Sequence, residues 1–138
     1  MHSLVLNLIL VFGVTSARGI GQEFRPHTAR VTGTVTYREK MGLPKDAAIT
    51  VAVSGQSDDQ QTVIAKTTYR SNGRQVPVPF SLSLENNLKP YKKYLIVAEI
   101  AIQEKCWFRT EEPTQFIQLS DREIHLELSR AGCRTPAR

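Results

Sequence analysis

Residues 31–53 read VTGTVTYREKMGLPKDAAITVAV, and residues 71–84 read SNGRQVPVPFSLSL. In the first stretch Val31, Val35 and Tyr37 fall on one face, and Thr32, Thr34 and Thr36 on the other. Ile49, Val51 and Val53 alternate in the same way with Thr50, Ala52 and Ser54. A period of two over β-branched residues is the signature of a half-buried strand, so two strands flank a turn containing Gly42 and Pro44. Asn72-Gly73 marks a second turn, because both residues tolerate positive φ. Pro77 and Pro79 lie two apart, so their missing N–H groups face one side, which suits an edge strand and not a central one.

The same reading extends in both directions. Gly55 to Gln61 reads as a hydrophilic loop and Thr62 to Arg70 as a strand. Tyr94 to Gln103 is expected to be the longest strand and central, with Tyr94, Ile96, Ala98, Ile100 and Ile102 on its core face. Glu104-Lys105 reads as a turn, Cys106-Trp107-Phe108 as the start of a strand, Phe116-Ile117 as a short extended piece, and Glu123 to Leu128 as a last alternating strand. No segment carries a 3.6-residue apolar repeat. The expectation is an all-β fold, an antiparallel β-sandwich of about seven or eight short strands.

The chain has 138 residues, enough for one domain with a core. Residues 29–130 form the expected sandwich. Leu4 to Val14 is an uncharged apolar run followed by Thr15-Ser16-Ala17. It is too short to span a membrane and fits a signal-peptide core with cleavage after Ala17, although Met1-His2-Ser3 lacks Lys and Arg. Residues 1–17 are therefore read as a signal peptide, with a first strand or an uncleaved apolar segment as the other readings. Residues 18–28 are expected to be a flexible lead-in and residues 131–138 a flexible tail.

The formal net charge is +5. Its basic residues are spread over several elements and not gathered among aromatics, which speaks against a nucleic-acid partner. Cys106 and Cys133 are the two cysteines. In an oxidising compartment two thiols pair, which would tie the strand near Trp107 to the tail; the alternative is a buried Cys106 and a free Cys133.

Catalytic and metal chemistry find little support. Glu123, His125 and Glu127 share one strand face, but their spacing of about 7 Å per two residues is too wide for chelation. Asp58-Asp59 reads as a solvated loop pair. No serine or cysteine has a matching base, so neither an enzyme, a cofactor nor a small-molecule substrate is expected. Tyr37, Trp107 and Phe108 read as core, with a sugar-stacking platform as the alternative.

Taken together, the two opening stretches and YLIVAEI at residues 94–100 resemble the YscW/YbaY family of small envelope lipoproteins. In that family a GTVTYRER-type strand meets an LPxDA turn, and NGRQVPIPF-like residues follow. The resemblance covers about Val31 to Leu128 and points to the type III secretion branch, whose members are pilotins. It implies a chaperone that binds the C-terminal region of a secretin subunit, works in the periplasm, and is associated with the outer membrane. It also implies that Gly33, Tyr37, Leu43, Pro44, Asp46, Asn72, Gly73, Arg74, Val76, Pro77 and Phe80 are determinants of the fold; it designates no partner-binding residues. The sequence departs from the family where Arg18 stands in place of a lipid-accepting cysteine. An envelope module binding a ligand or carbohydrate is the alternative function.

Overall fold

The computed structural model describes residues 28–85, 91–117 and 120–134. The expected signal peptide and nearly all of the lead-in lie outside those residues. The strands are β1 (Thr28–Tyr37), β2 (Ala48–Ser57), β3 (Gln60–Arg70), β4 (Val78–Glu85), β5 (Lys93–Ile102), β6 (Lys105–Arg109), β7 (Thr114–Phe116) and β8 (Arg122–Leu128). A short 3-10 turn, Ala131–Arg134, follows at the start of the segment read as a flexible tail.

Two sheets stack as the alternation requires. One has the order β4-β1-β8, the other β3-β2-β5-β6, with β7 beside β6 on the same edge of β5. The expected sandwich of eight strands is present, and β5 is central. One pair departs from the antiparallel rule: β8 runs parallel to β1, from Val31 opposite Arg122 to Tyr37 opposite Leu128. The cause is connectivity, since β7 pairs in one sheet and the chain then crosses to the other before β8 begins.

Three local expectations need correction. Gly55 to Gln61 is no loop: β2 runs to Ser57 and β3 starts at Gln60, leaving Asp58-Asp59 as the turn, with Asp58 at φ 52°. Cross-strand backbone bonds carry this hairpin beyond the point where its side chains signal a core. The turn between β5 and β6 is Gln103-Glu104, both with positive φ, one residue earlier than read. The longest strand is β3, with 11 residues, not β5.

The core is lined by the predicted faces: Val31, Val35 and Tyr37 from β1; Ile49, Val51 and Val53 from β2; Ile96 and Ile100 from β5. Phe108 of β6 is fully buried and stacks on Tyr37, with centroids 4.2 Å apart and planes 5° from parallel. Burial of such side chains stabilises the fold by roughly 1.5–3 kcal/mol each. Gly33 shows why β1 needs a residue without a side chain. A Cβ there would lie 1.6 Å from the Ile124 carbonyl oxygen of β8.

The two opening stretches meet in space. Leu43 N–H donates to Gln75 Oε1 at 2.8 Å, and Gln75 Nε2 donates back to Leu43 O at 3.2 Å. Ser71 N–H donates to Ala47 O at 2.9 Å, and Asn72 N–H to Lys45 O at 3.1 Å. The buried Ser71 hydroxyl donates to Pro44 O. The turn at residues 43–47 and the turn at residues 71–75 thus form one hydrogen-bonded corner. Its polar backbone is satisfied internally, as burial demands. Asn72 (φ 50°) and Gly73 (φ 85°) occupy the left-handed conformation that their residue types favour. The Val76–Pro77 peptide is cis.

The sandwich has a sealed side and an open side. At the sealed side Arg109 and Ser129 exchange backbone hydrogen bonds of 3.0 Å. Cys106 and Cys133 are joined by a disulfide, with Cα atoms 5.8 Å apart. At the open side β3 and β4 lie next to each other as the terminal strands of their respective sheets.

Candidate functional site

A groove of about 710 Å³ occupies the open side, between the end of β3 and the start of β4. Tyr69 and Arg70 line it from β3, Asn72 and Arg74 from the corner turn, and Val78, Pro79, Phe80 and Ser81 from β4. Each lining group is placed by the sequence features that decide the fold. Tyr69 sits opposite Ile49 on the core-facing side of β3. Phe80 sits opposite Gly33, and its side chain is buried.

The backbone edges here are managed in different ways. The Tyr69 hydroxyl donates to Ser81 O at 2.9 Å and lies 3.4 Å from Ser81 N. It therefore occupies both backbone groups of Ser81, bridging the two sheets at one point. Pro79, two residues earlier, turns its nitrogen to the same side and offers no N–H. The predicted edge strand is observed as β4, but it begins at Val78, so Pro77 lies before it in a bend and only Pro79 stands on the edge, where it resists strand addition. The edge of β3 has no proline over its 11 residues. It carries Lys66 and an irregularity opposite Val53/Ser54, and Val63 is 60% exposed.

The groove is cationic at its rim. Arg70 Nη1 donates to Asp46 O at 2.8 Å, which holds the guanidinium beside the corner. Arg74 is exposed. Among the described residues neither arginine has a carboxylate partner. An apolar floor with two uncompensated arginines suits a polypeptide segment that carries apolar anchors and acidic neighbours. The groove was legible only in part: Gln75 to Phe80 reads as an edge, but its pairing with Tyr69 and Arg70 depends on the fold.

The fold-motif residues act as scaffold. Tyr37 is buried, and its hydroxyl donates to Met41 O at 2.7 Å. Burial raises its pKa above the ordinary 10.0, and the nearby Glu39 carboxylate adds to the rise. Pro44 and Asp46 accept hydrogen bonds through their carbonyls, and Val76 packs against the core.

The other singled-out groups do not converge. His125 Nδ1 meets Thr34 Oγ1 at 2.8 Å and Nε2 meets Glu123 Oε1 at 3.4 Å, while Glu127 turns to Arg38 at 2.7 Å. Asp58 pairs with Lys92 at 2.6 Å. No metal-holding cluster of three or more groups occurs among the described residues. Tyr37 and Phe108 stack in the core while Trp107 packs part-buried against its rim, so the three make no shared sugar platform. A position missed from sequence is Trp107 itself: the register shifts between Ile100 and Ala101, so Phe108 and Cys106 face consecutive residues and Trp107 is the extra one. Such a bulge re-aims a side chain and has no marker in the residue types.

Comparison with known proteins places these features. Residues 26–128 match the family described as type III secretion system lipoprotein chaperone (YscW). The match includes the corner, the groove and all eight strands. The uncharacterized lipoprotein YbaY of Escherichia coli (strain K12) is 37% identical over 84 residues, 59% of this chain and 44% of that protein. The chain thus spans less than half the length of that relative. A solved structure of an alternative pilotin from the type II secretion system of Vibrio cholerae superposes with a TM-score of 0.67 at 31% identity, covering 75% of this chain and 96% of that one. The sandwich whose alternation is written in residues 31–84 therefore belongs to the family of type III secretion system lipoprotein chaperones.

Proposed function

We propose that this protein is a pilotin: it binds the C-terminal region of a type III secretion system secretin subunit and helps it reach and assemble in the outer membrane. The match over residues 26–128 carries this reading, because it covers the whole sandwich and the family is one of secretion chaperones. The structural likeness to a type II pilotin supports secretin binding as the shared activity. The protein works in the periplasm, in association with the outer membrane. It acts by binding and catalyses no reaction.

The groove between β3 and β4 is the docking place in this reading. Its buried Val78 and Phe80 give a firm apolar floor, and Arg70 and Arg74 orient an acidic partner segment. Calorimetric titration with C-terminal peptides of type III and type II secretins tests both partner and class. The type III peptide is expected to bind more tightly, and Arg70→Glu with Arg74→Glu is expected to weaken it about tenfold or more. Equal affinity for the two peptides overturns the type III assignment; no binding of either overturns the secretin. In the producing cell, deletion is expected to reduce secretin multimers in the outer membrane.

A further inference from the structure

The sealed side carries a second site with a different chemistry. A depression of about 370 Å³ is lined by Lys105, Cys106, Trp107, Arg130, Cys133 and Arg134. Three of these six residues are cationic and none is acidic. Among the described residues Lys105, Arg130 and Arg134 have no carboxylate partner. Their charges are therefore left uncompensated around one concavity.

The fold holds them in place. The bulge in β6 leaves Trp107 part-buried at the rim of the core, and the Arg130 guanidinium lies 5.2 Å from its ring centroid. The same guanidinium lies 5.8 Å from the Phe108 ring, and its Nη2 is 3.7 Å from Met41 Sδ. Gly132 is buried so close to β6 that a Cβ would sit 2.2 Å from Arg109 O. The disulfide then fixes Cys133 to Cys106, and with it the neighbouring Arg134. Strand, turn and covalent bond thus assemble three cations about an indole before any ligand arrives.

We propose that this depression is a phosphate-binding site for the headgroups of an anionic lipid surface. Phosphate chemistry is selected by three cations with no competing carboxylate. A lipid is selected over a free ion by Trp107, a part-exposed indole beside the cations, since indoles partition to the region between headgroups and acyl chains. Each cation near an anionic surface tightens binding about fivefold, so three give a preference on the order of 100-fold at low salt. The site lies on the opposite side of the sandwich from the groove, so a membrane-bound protein keeps the groove free.

The test is sedimentation of the full chain with vesicles of phosphatidylcholine, with and without phosphatidylglycerol. The apolar run at residues 4–14 is present in every arm, so the preference for the anionic vesicle is the quantity read. The expected preference falls about 25-fold in Lys105→Gln with Arg134→Gln, two exposed positions that leave the core intact. Trp107→Ala and reduction of the disulfide are expected to lower it as well. Unchanged melting of the double variant excludes misfolding as the cause. Equal binding to both vesicles, or a preference that survives the double variant, overturns the proposal. Inorganic phosphate that binds tightly and abolishes the preference assigns the site to the free ion and overturns the lipid. No secretin is present, so failure here leaves the pilotin reading intact.

Discussion

Removing the Cys106–Cys133 bond gives the sharpest test of how the sealed side is stabilised. The two residues are 27 apart in sequence. A loop of that size removes about 12 cal/mol/K from the unfolded chain, or about 3.6 kcal/mol at 25 °C. The loop spans β6, β7 and β8, so it confines three strands of the unfolded chain together. For a domain of about a hundred residues each kcal/mol moves the melting temperature by about 4 °C or more, so the expected loss is about 15 °C. Urea denaturation of the native protein and of Cys106→Ala with Cys133→Ala measures it, with mass spectrometry after alkylation verifying the bond in the former. Apart from residues 133 and 134, which the bond fixes, the folded state should be little altered, because the Arg109–Ser129 bonds and the Gly132 contact still hold the start of the turn. A difference below about 1 kcal/mol would refute the loop-entropy reasoning.

Other expectations follow from single contacts. Gly33→Ala is expected to destabilise by about 3 kcal/mol or more, as a Cβ collides with β8 backbone, whereas Gly42→Ala, whose Cβ would meet only Gln75 Oε1 at 3.4 Å, should change little; thermal melts compare the two. Tyr69→Phe removes the hydroxyl that meets Ser81 and should cost about 1 kcal/mol, with faster amide exchange at Ser81 by NMR. Gln75→Ala leaves the Leu43 N–H without its acceptor and should cost about 1–3 kcal/mol in denaturant melts. Tyr37 has a folded pKa above 10.0, so its contribution is complete below pH 10 and is lost as pH rises through the folded value. Stability measured across that alkaline range should fall less steeply in Tyr37→Phe.

Where side chains alternate between core and solvent, the sequence spoke clearly. Val31, Val35, Tyr37, Ile49, Val51 and Val53 occupy the predicted core, because one face of each strand must be dry. Asn72-Gly73 was equally plain, since few residues adopt that conformation cheaply. The β2–β3 hairpin past Gly55 was not legible: Gln56, Ser57, Gln60 and Gln61 pair through their backbones and bury no apolar face. The Gln103-Glu104 turn was misplaced by one residue because neither residue type advertises positive φ. For the candidate sites the distance along the chain decides. The groove's lining falls within Tyr69 to Ser81, so its residues are close along the chain, but that β3 and β4 stand side by side depends on the fold. Lys105 and Arg134 come together only through the disulfide and the turn, and no local pattern announces that.

The position of β1 has a consequence for how the molecule comes into being. Among the described residues it is the first strand, yet it lies in the middle of its sheet, flanked by β4 and β8. Its second neighbour, β8, is the last strand among the described residues, so nearly all of the sandwich must be synthesised before that seam can close. Until then the nascent protein keeps a ready-made sticky margin along Val31 to Tyr37. Closure of the seam between β1 and β8 is therefore the step that the topology places last during synthesis.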